Sequence, residues 1–371
     1  MPTRVLVIPD KFKGSLTSQA AAEAIAAGWK TARSHDELTL VPMSDGGDGF
    51  GEVVSARLGA EPRSVTTVDA AHRPCKAVWW YHPASRTAII ESARVVGLAM
   101  MPEGRFHPFD LDTFGLAEVF REAAKAGARR CVAGIGGSAT NDGGAGLARG
   151  LGWRFLDDAG AEITRPGGLE KLAAVEPAVS GPRFDELVVA VDVKNPLLGP
   201  QGCSRIFGPQ KGLRPEDMTR AEAGLERLAD LTQRATGRDA RGAMGAGSAG
   251  GLGFGLQAFL GAKPVEGFEL FAEAADLPAQ LSKADLVITG EGRVDASSVM
   301  GKAAGSLARM CRERGIPCIA LAGVVSDREV VDGHFLRARG LVEIVGESQA
   351  KAEAARWLRT LAEGAARDWA G

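Results

Sequence analysis

The residues best suited to chemistry lie in the run Gly134-Ile135-Gly136-Gly137-Ser138-Ala139-Thr140-Asn141-Asp142-Gly143-Gly144-Ala145-Gly146. Glycines let backbone N–H groups approach an anion with no Cβ in the way. Ser138 and Thr140 add hydroxyl donors, and an aspartate there could hold a metal. The run follows the apolar segment Cys131-Val132-Ala133, so it reads as a loop leaving a strand. A packing turn needs one or two glycines, whereas this run has six in thirteen residues. The pattern points to a ligand that bears phosphate.

Other polar loops follow predicted strands in the same way. They are Pro9-Asp10-Lys11-Phe12-Lys13-Gly14-Ser15, Asp45-Gly46-Gly47-Asp48-Gly49, Asp192-Val193-Lys194-Asn195-Pro196-Leu197 and Thr289-Gly290-Glu291-Gly292-Arg293-Val294-Asp295, with Gly301-Lys302 beyond. Phe207-Gly208-Pro209-Gln210-Lys211-Gly212 and Gly245-Ala246-Gly247-Ser248-Ala249-Gly250-Gly251 have less definite flanks. Lys11, Lys13, Lys211, Lys302 and Arg293 can neutralise phosphate oxygens. Asp10, Asp45, Asp48, Asp192, Glu291 and Asp295 can bind a divalent ion or accept a proton. Phosphoryl transfer needs both sets. Singly, each lysine reads as a solvated side chain and each Asp-Gly as a turn; the set after strands carries the functional reading. Gly134-x-Gly136-x-x-Ala139 also fits a dinucleotide fingerprint, and this keeps an NAD-dependent oxidoreductase of a small hydroxy acid as the alternative. Against it, the loop stays glycine-rich through Gly144, where a packed helix should already run, and no histidine sits in a glycine loop. Walker A is absent, since Gly301-Lys302 is followed by Ala303.

The elements that must position these loops are of two kinds. Arg4–Ile8 reads as a buried strand, with a helix capped by Thr17 or Ser18 running to about Arg33, a strand at Leu38–Val41 and a helix from Gly49 to Leu58. The C-terminal part repeats the rhythm: strands at Ala284–Thr289, Cys318–Ala322 and Leu341–Val345, and helices at Lys302–Arg314, Asp327–Arg339 and Lys351–Trp369. Alternation of this kind predicts right-handed βαβ units in a five-stranded parallel sheet. The middle holds a hairpin of Lys76–Tyr81 with Thr87–Glu91, a helix over Phe114–Ala126, a strand at Leu187–Val191 and a charged helix over Pro215–Thr236. The fold class expected is α/β. A Rossmann/flavodoxin-like domain from 1–61 and 269–371 would carry an inserted, glycine-rich α/β domain of 62–268, with a cleft between them.

Composition sets the outer limits. The chain has 371 residues, a net charge of −2, 45% apolar residues and 49 glycines, nearly twice the usual share of about 7%. No polybasic stretch points to nucleic acid, and no run of about eighteen apolar residues points to a membrane span. The start reads directly into a strand, so no signal peptide is expected. Five scattered cysteines without a CxxC pair argue against disulfides and structural zinc. A cytoplasmic protein, monomer or homodimer, is expected.

Taken as an ordered set, the loops resemble those of the type-1 glycerate kinase family over essentially the whole chain. Pro9–Leu16, Asp45–Gly49, Gly134–Gly144, Asp192–Leu197, Phe207–Gly212 and Thr289–Asp295 carry the likeness. Two departures stand out: Ser297 where the family usually has Gln, and Ala304 where it often has Pro. The resemblance implies two α/β domains and ATP-dependent phosphorylation of D-glycerate with Mg2+, giving 2-phosphoglycerate ahead of 3-phosphoglycerate. On that reading Gly136, Gly137, Ser138, Thr140, Asn141 and Lys302 bind the ATP phosphates. Lys13 and Lys211 stabilise the transferring group, and Asp192 or Asp45 is the base. Arg293, Asp10, Ser15 and Asn195 hold the substrate, and Asp295 or Glu291 the metal. A non-catalytic sugar-acid sensor would lack the acidic and basic loop residues, and here both sets are present.

Overall fold

The structure, a computed structural model, describes residues 2–44, 46–47, 49–300 and 303–370. The strands of its two main sheets are β1 (Arg4–Pro9), β2 (Glu37–Leu40), β3 (Glu61–Val68), β4 (Pro74–His82), β5 (Thr87–Glu91), β6 (Arg130–Gly134), β7 (Glu186–Val191), β8 (Lys263–Glu266), β9 (Leu286–Gly290), β10 (Cys318–Ala322) and β11 (Arg337–Gly340). The chain forms two compact units, Met1–Asp45 with Phe268–Gly371, and Gly46–Gly267.

The first unit holds a five-stranded sheet in the order β11-β10-β9-β1-β2, parallel throughout. β9 and β10 are buried along their whole length, and β1 from its second residue on. Continuous apolar runs of this kind belong to parallel strands covered on both faces. The helix Ser18–Ala32 starts where the Thr17 hydroxyl accepts from Ala20 N (3.2 Å), and it packs against Ala354–Arg367 through Ile25, Trp29, Leu358 and Leu361. Their backbones touch at Gly28, where a Cβ would lie 2.1 Å from the Arg359 carbonyl oxygen.

The C-terminal elements differ from those expected. Asp327–Arg339 is not one helix and Leu341–Val345 is not a strand. A short helix spans Arg328–Val331, β11 takes up Arg337–Gly340, and Leu341–Glu343 is a single 3-10 turn. β11 is an edge strand, and its arginines pair outward with Asp368 (3.3 Å) and Glu343 (2.8 Å). Charges suit a sheet edge, yet they hide the strand from a hydrophobicity pattern. The last helix is interrupted at Glu353, between Glu347–Ala352 and Ala354–Arg367.

The second unit holds a six-stranded sheet, β8-β7-β6-β5-β4-β3. β3, β4 and β5 form an antiparallel meander, and β5 through β8 run parallel. β3 was not expected, because its exposed face breaks the apolar run. Glu91 and Gly134 are register partners, as are Gly134 and Ala190, so β5, β6 and β7 end level. The helix Phe50–Leu58 belongs to this unit and not to the terminal one. Phe50 is fully buried, and a Cβ on Gly51 would lie 2.1 Å from a ring carbon of Trp80 in β4. The break therefore falls at 45/46 rather than 61/62.

Candidate active site

Site residues named from the sequence fall into two groups, one at the carboxyl ends of parallel strands in each unit. Open α/β sheets bind ligands at such ends.

In the second unit the loop after β6 is fixed from three sides. Gly136 N donates to Gly46 O (3.3 Å), Ala139 N to Val96 O (2.8 Å) and Gly143 N to Gly250 O (3.0 Å). The N–H groups of Gly137 and Ser138 donate to no described residue, and Gly137 is exposed. A Cβ at Gly136 would lie 2.5 Å from Gly47 Cα, so only glycine fits there. Opposite runs a turn of three consecutive left-handed residues, Ala249, Gly250 and Gly251 (φ 56°, 67° and 86°). An alanine in that region costs about 1–2 kcal/mol, and such strain gathers at functional sites.

Around this loop the side chains divide. Ser138 Oγ and Thr140 Oγ1 lie 2.8 Å apart and bond to each other, so they order the loop as it stands. Asn141 Nδ2 donates to Ser204 Oγ (3.0 Å). Asn141 Oδ1, Ser92 Oγ and Ser248 Oγ are buried with no partner among the described residues. Such orphaned polar atoms in the same loop cluster as the exposed Gly137 fit a polar ligand better than a packing role. Lys211 is buried and donates from Nζ to Thr140 O (2.7 Å). Asp192 is exposed at the end of β7. Asn195 closes its own loop, donating from Nδ2 to Gln201 O (2.8 Å) and accepting at its carbonyl from Gly247 N (2.9 Å).

Burial lowers the Lys211 ammonium from an ordinary 10.5 to about 8. Between those two pH values the unfolded chain holds a proton that the folded chain has released. Stability therefore rises with pH across that window and not below it. Lys211→Met is expected to remove this component, which wild-type and variant denaturant melts at pH 7.5 and pH 10 would show.

In the first unit two loops come together beyond β1 and β9, where Pro9 and Gly290 are register partners. Asp10 N donates to Gly290 O (2.7 Å), and a Cβ on Gly292 would lie 3.2 Å from Lys13 N. Asp10 is buried, and Oδ1 accepts from Lys11 N (2.7 Å). Lys13 and Arg293 are exposed, whereas Glu291 and Asp295 are half-buried. Ser15 Oγ donates to Phe12 O (3.0 Å), a contact that closes the loop. Asp295 Oδ1 caps the short helix Ala296–Val299, accepting from Ser298 N (3.0 Å) and Ser297 Oγ (2.6 Å). Ser297, the departure from the family pattern, thus supports Asp295. Asp45 and Lys302 lie outside the described residues.

Two residues central to the glycine loop have parts that the sequence did not show: Asp142, the aspartate of the run raised above as a metal holder, and Glu91. Asp142 is fully buried and bonded on both oxygens, so it is no metal ligand. Glu91 accepts from Gly49 N (2.8 Å) and Gly51 N (3.0 Å), tying the start of the Phe50–Leu58 helix to β5. The only hint of either in the sequence was an acid beside a glycine loop. The dinucleotide fingerprint also loses its context: the helix after the loop begins only at Ala145 and ends at Gly150.

The model of the glycerate kinase family matches residues 5–370. The chain belongs to that family. It is 39% identical over 342 residues to a glycerate kinase of Bacillus subtilis (strain 168), covering 90% of this chain and 89% of the relative. It is 37% identical over 328 residues to a glycerate 2-kinase of Escherichia coli (strain K12), covering 87% and 86%. A crystal structure provisionally described as glycerate kinase 2 of Salmonella typhimurium LT2 superposes with a TM-score of 0.82 at 33% identity, over 99% of this chain and 98% of that one. The enzyme class is thus phosphotransferase, and the oxidoreductase alternative finds no support. No helix among the described residues is long and apolar enough to cross a membrane.

Proposed function

We propose that the enzyme transfers the γ-phosphoryl group of ATP to the 2-hydroxyl of D-glycerate, giving 2-phosphoglycerate and ADP. The observation that carries this reading is the glycine loop after β6. It presents the Gly137 and Ser138 N–H groups, and Lys211 is buried against its Thr140 carbonyl. A loop of that kind holds phosphate oxygens with backbone donors. The choice of the 2-hydroxyl draws on the relative named glycerate 2-kinase.

In this mechanism the glycerate hydroxyl oxygen attacks the γ-phosphorus as the bond to the β–γ bridging oxygen breaks. The hydroxyl proton passes to Asp192, or to Asp45. A carboxylate of ordinary pKa suffices, because a loose transition state asks for little early proton removal. Lys211 and Lys13 would supply positive charge to the equatorial oxygens, and the Arg293 guanidinium would take the substrate carboxylate in a bidentate grip. The half-buried carboxylates of Glu291 and Asp295 would hold Mg2+, which would supply positive charge to the phosphate oxygens.

The test is ³¹P NMR of a reaction with Mg-ATP and D-glycerate. A phosphomonoester signal coupled to one proton is expected. Coupling to two protons would move the product to 3-phosphoglycerate. Glycerate-independent ATP levels with folded protein would overturn the substrate.

A further inference from the structure

Glu91 stands where three pieces of the second unit meet. It ends β5, it is buried, and its register partner Gly134 opens the glycine loop. The segment that follows it wraps that loop. Ser92 N donates to Gly134 O (2.9 Å), Leu98 N donates to Gly137 O (2.8 Å), and Val96 O accepts from Ala139 N (2.8 Å). The main chain after Glu91 is thus fixed to the glycine loop, while its carboxylate holds a different segment. Oε1 accepts from Gly49 N (2.8 Å) and Oε2 from Gly51 N (3.0 Å).

That segment touches the glycine loop in its turn. Gly46 O accepts from Gly136 N (3.3 Å), and Phe50 N closes the turn on Gly47 O (3.0 Å). A Cβ on Gly134 would lie 2.5 Å from Phe50 Cδ1, and one on Gly136 2.5 Å from Gly47 Cα. Main chain meets main chain at Gly136 and Gly47, so a shift of the turn passes straight to Gly136. A carboxylate on the N–H groups at a helix start makes charge-assisted bonds and meets the positive end of the helix dipole. Its charge also has a cation beside it. Arg94 Nε lies 3.4 Å from Oε2, and Arg94 Nη2 lies 2.5 Å from Glu52 Oε1 on the same helix.

We propose that Glu91 is a positioning residue for phosphoryl transfer: its carboxylate fixes the turn at 46–49, and through it the place at which Gly136 and Gly137 meet the phosphates. The proposal rests on the assignment of the glycine loop to ATP phosphates. It adds the side chain that holds the loop in register with its neighbour, although that side chain touches no ligand itself.

The test compares wild type with Glu91→Gln. The amide keeps the shape, but its nitrogen is a donor, so one of the two buried N–H groups loses its acceptor. Val119→Ala, a truncation in the core of the same unit, shows what a loss of stability alone does. Rates are taken well below every Tm. Glu91→Gln is expected to lower kcat/KM for ATP about 10–100-fold, the scale of a misplacement of about 1 Å. KM for glycerate, assigned to Arg293, stays near that of wild type. The amide resonances of Gly136 and Gly137 move together with those of Gly49 and Gly51. Val119→Ala loses Tm and keeps wild-type rates. A lowered Tm with wild-type kcat/KM and unmoved Gly136 and Gly137 resonances would make Glu91 a structural anchor and overturn the proposal. Should Glu91→Gln not fold, wild type decides. ATP should then slow hydrogen exchange at the Gly49 and Gly51 N–H groups about fivefold or more, because coupling between two sites is reciprocal. ATP that protects Gly137 and leaves Gly49 and Gly51 unchanged would refute the link. ATP that leaves the Gly137 and Ser138 resonances of wild type unmoved would instead remove the loop assignment, and the proposal with it.

Discussion

Asp192→Asn should lower kcat by about 10²–10⁴-fold and leave ATP affinity near that of wild type. Asp192 follows Val191, the last residue of β7, at the edge of the glycine-loop cluster, and it is exposed. The amide cannot take the hydroxyl proton, but it keeps the size and much of the polarity of the acid. Loss of kcat without loss of binding is the mark of a group that acts on the reacting atoms. Steady-state rates with a direct titration of ATP binding would separate the two. The same measurement on Asp45→Asn completes the pair. If both variants keep near-normal kcat, neither carboxylate is the base, and the proton leaves to water or to phosphate.

Gly250→Ala should be the most damaging single methyl in the second unit. Gly250 has φ +67°, and a Cβ there would lie 1.9 Å from the carbonyl oxygen of Thr140. That atom accepts from Lys211. The backbone penalty of about 1–2 kcal/mol adds to an overpacking cost of about 1–3 kcal/mol. We expect a loss of about 3 kcal/mol and a fall in Tm of about 6–12 °C. The KM for ATP should rise with it, because Thr140 and Lys211 must both move. Gly242→Ala serves as the control, with open space around its Cβ position. Equal Tm values for the two variants would show that the loops give way at little cost.

The sequence showed most where a hydrophobic pattern and a turn signal agreed. β10 was legible residue for residue, since Cys318–Ala322 is wholly apolar and follows Gly315 and Pro317. β11 and β3 were not, because edge and half-exposed strands carry arginines, glutamates and threonines that mimic helix or loop. The helix Phe50–Leu58 was legible as a helix but not as to its unit, which depends on Trp80 lying against Gly51. In the site, the glycine loop could be found because its composition is extreme. What each polar side chain does there could not, since it depends on partners far away in the chain. Thr113 binds Asp142 across 29 positions, and Lys211 reaches Thr140 across 71. Ser15 and Asn195 look like ligand groups in a motif, yet their side chains bond to the backbone of their own loops.

The meeting of the two glycine-rich segments also bears on how this site can change. A Cβ on Gly144 would fall 2.8 Å from Gly255 Cα, and one on Gly255 would fall 2.6 Å from the Gly143 carbonyl oxygen. A Cβ on Gly251 would fall 2.8 Å from Gly143 Cα. A clash with a side chain can be relieved by trimming that side chain. Here the obstacle is main chain on both sides, and nothing smaller than glycine exists. A damaging substitution at any of these positions therefore has no suppressor to be found by shortening its neighbour. Directed variation that seeks new acceptors would do better to leave both segments untouched and draw its diversity from Arg293, which is exposed and is proposed to grip the acceptor's carboxylate.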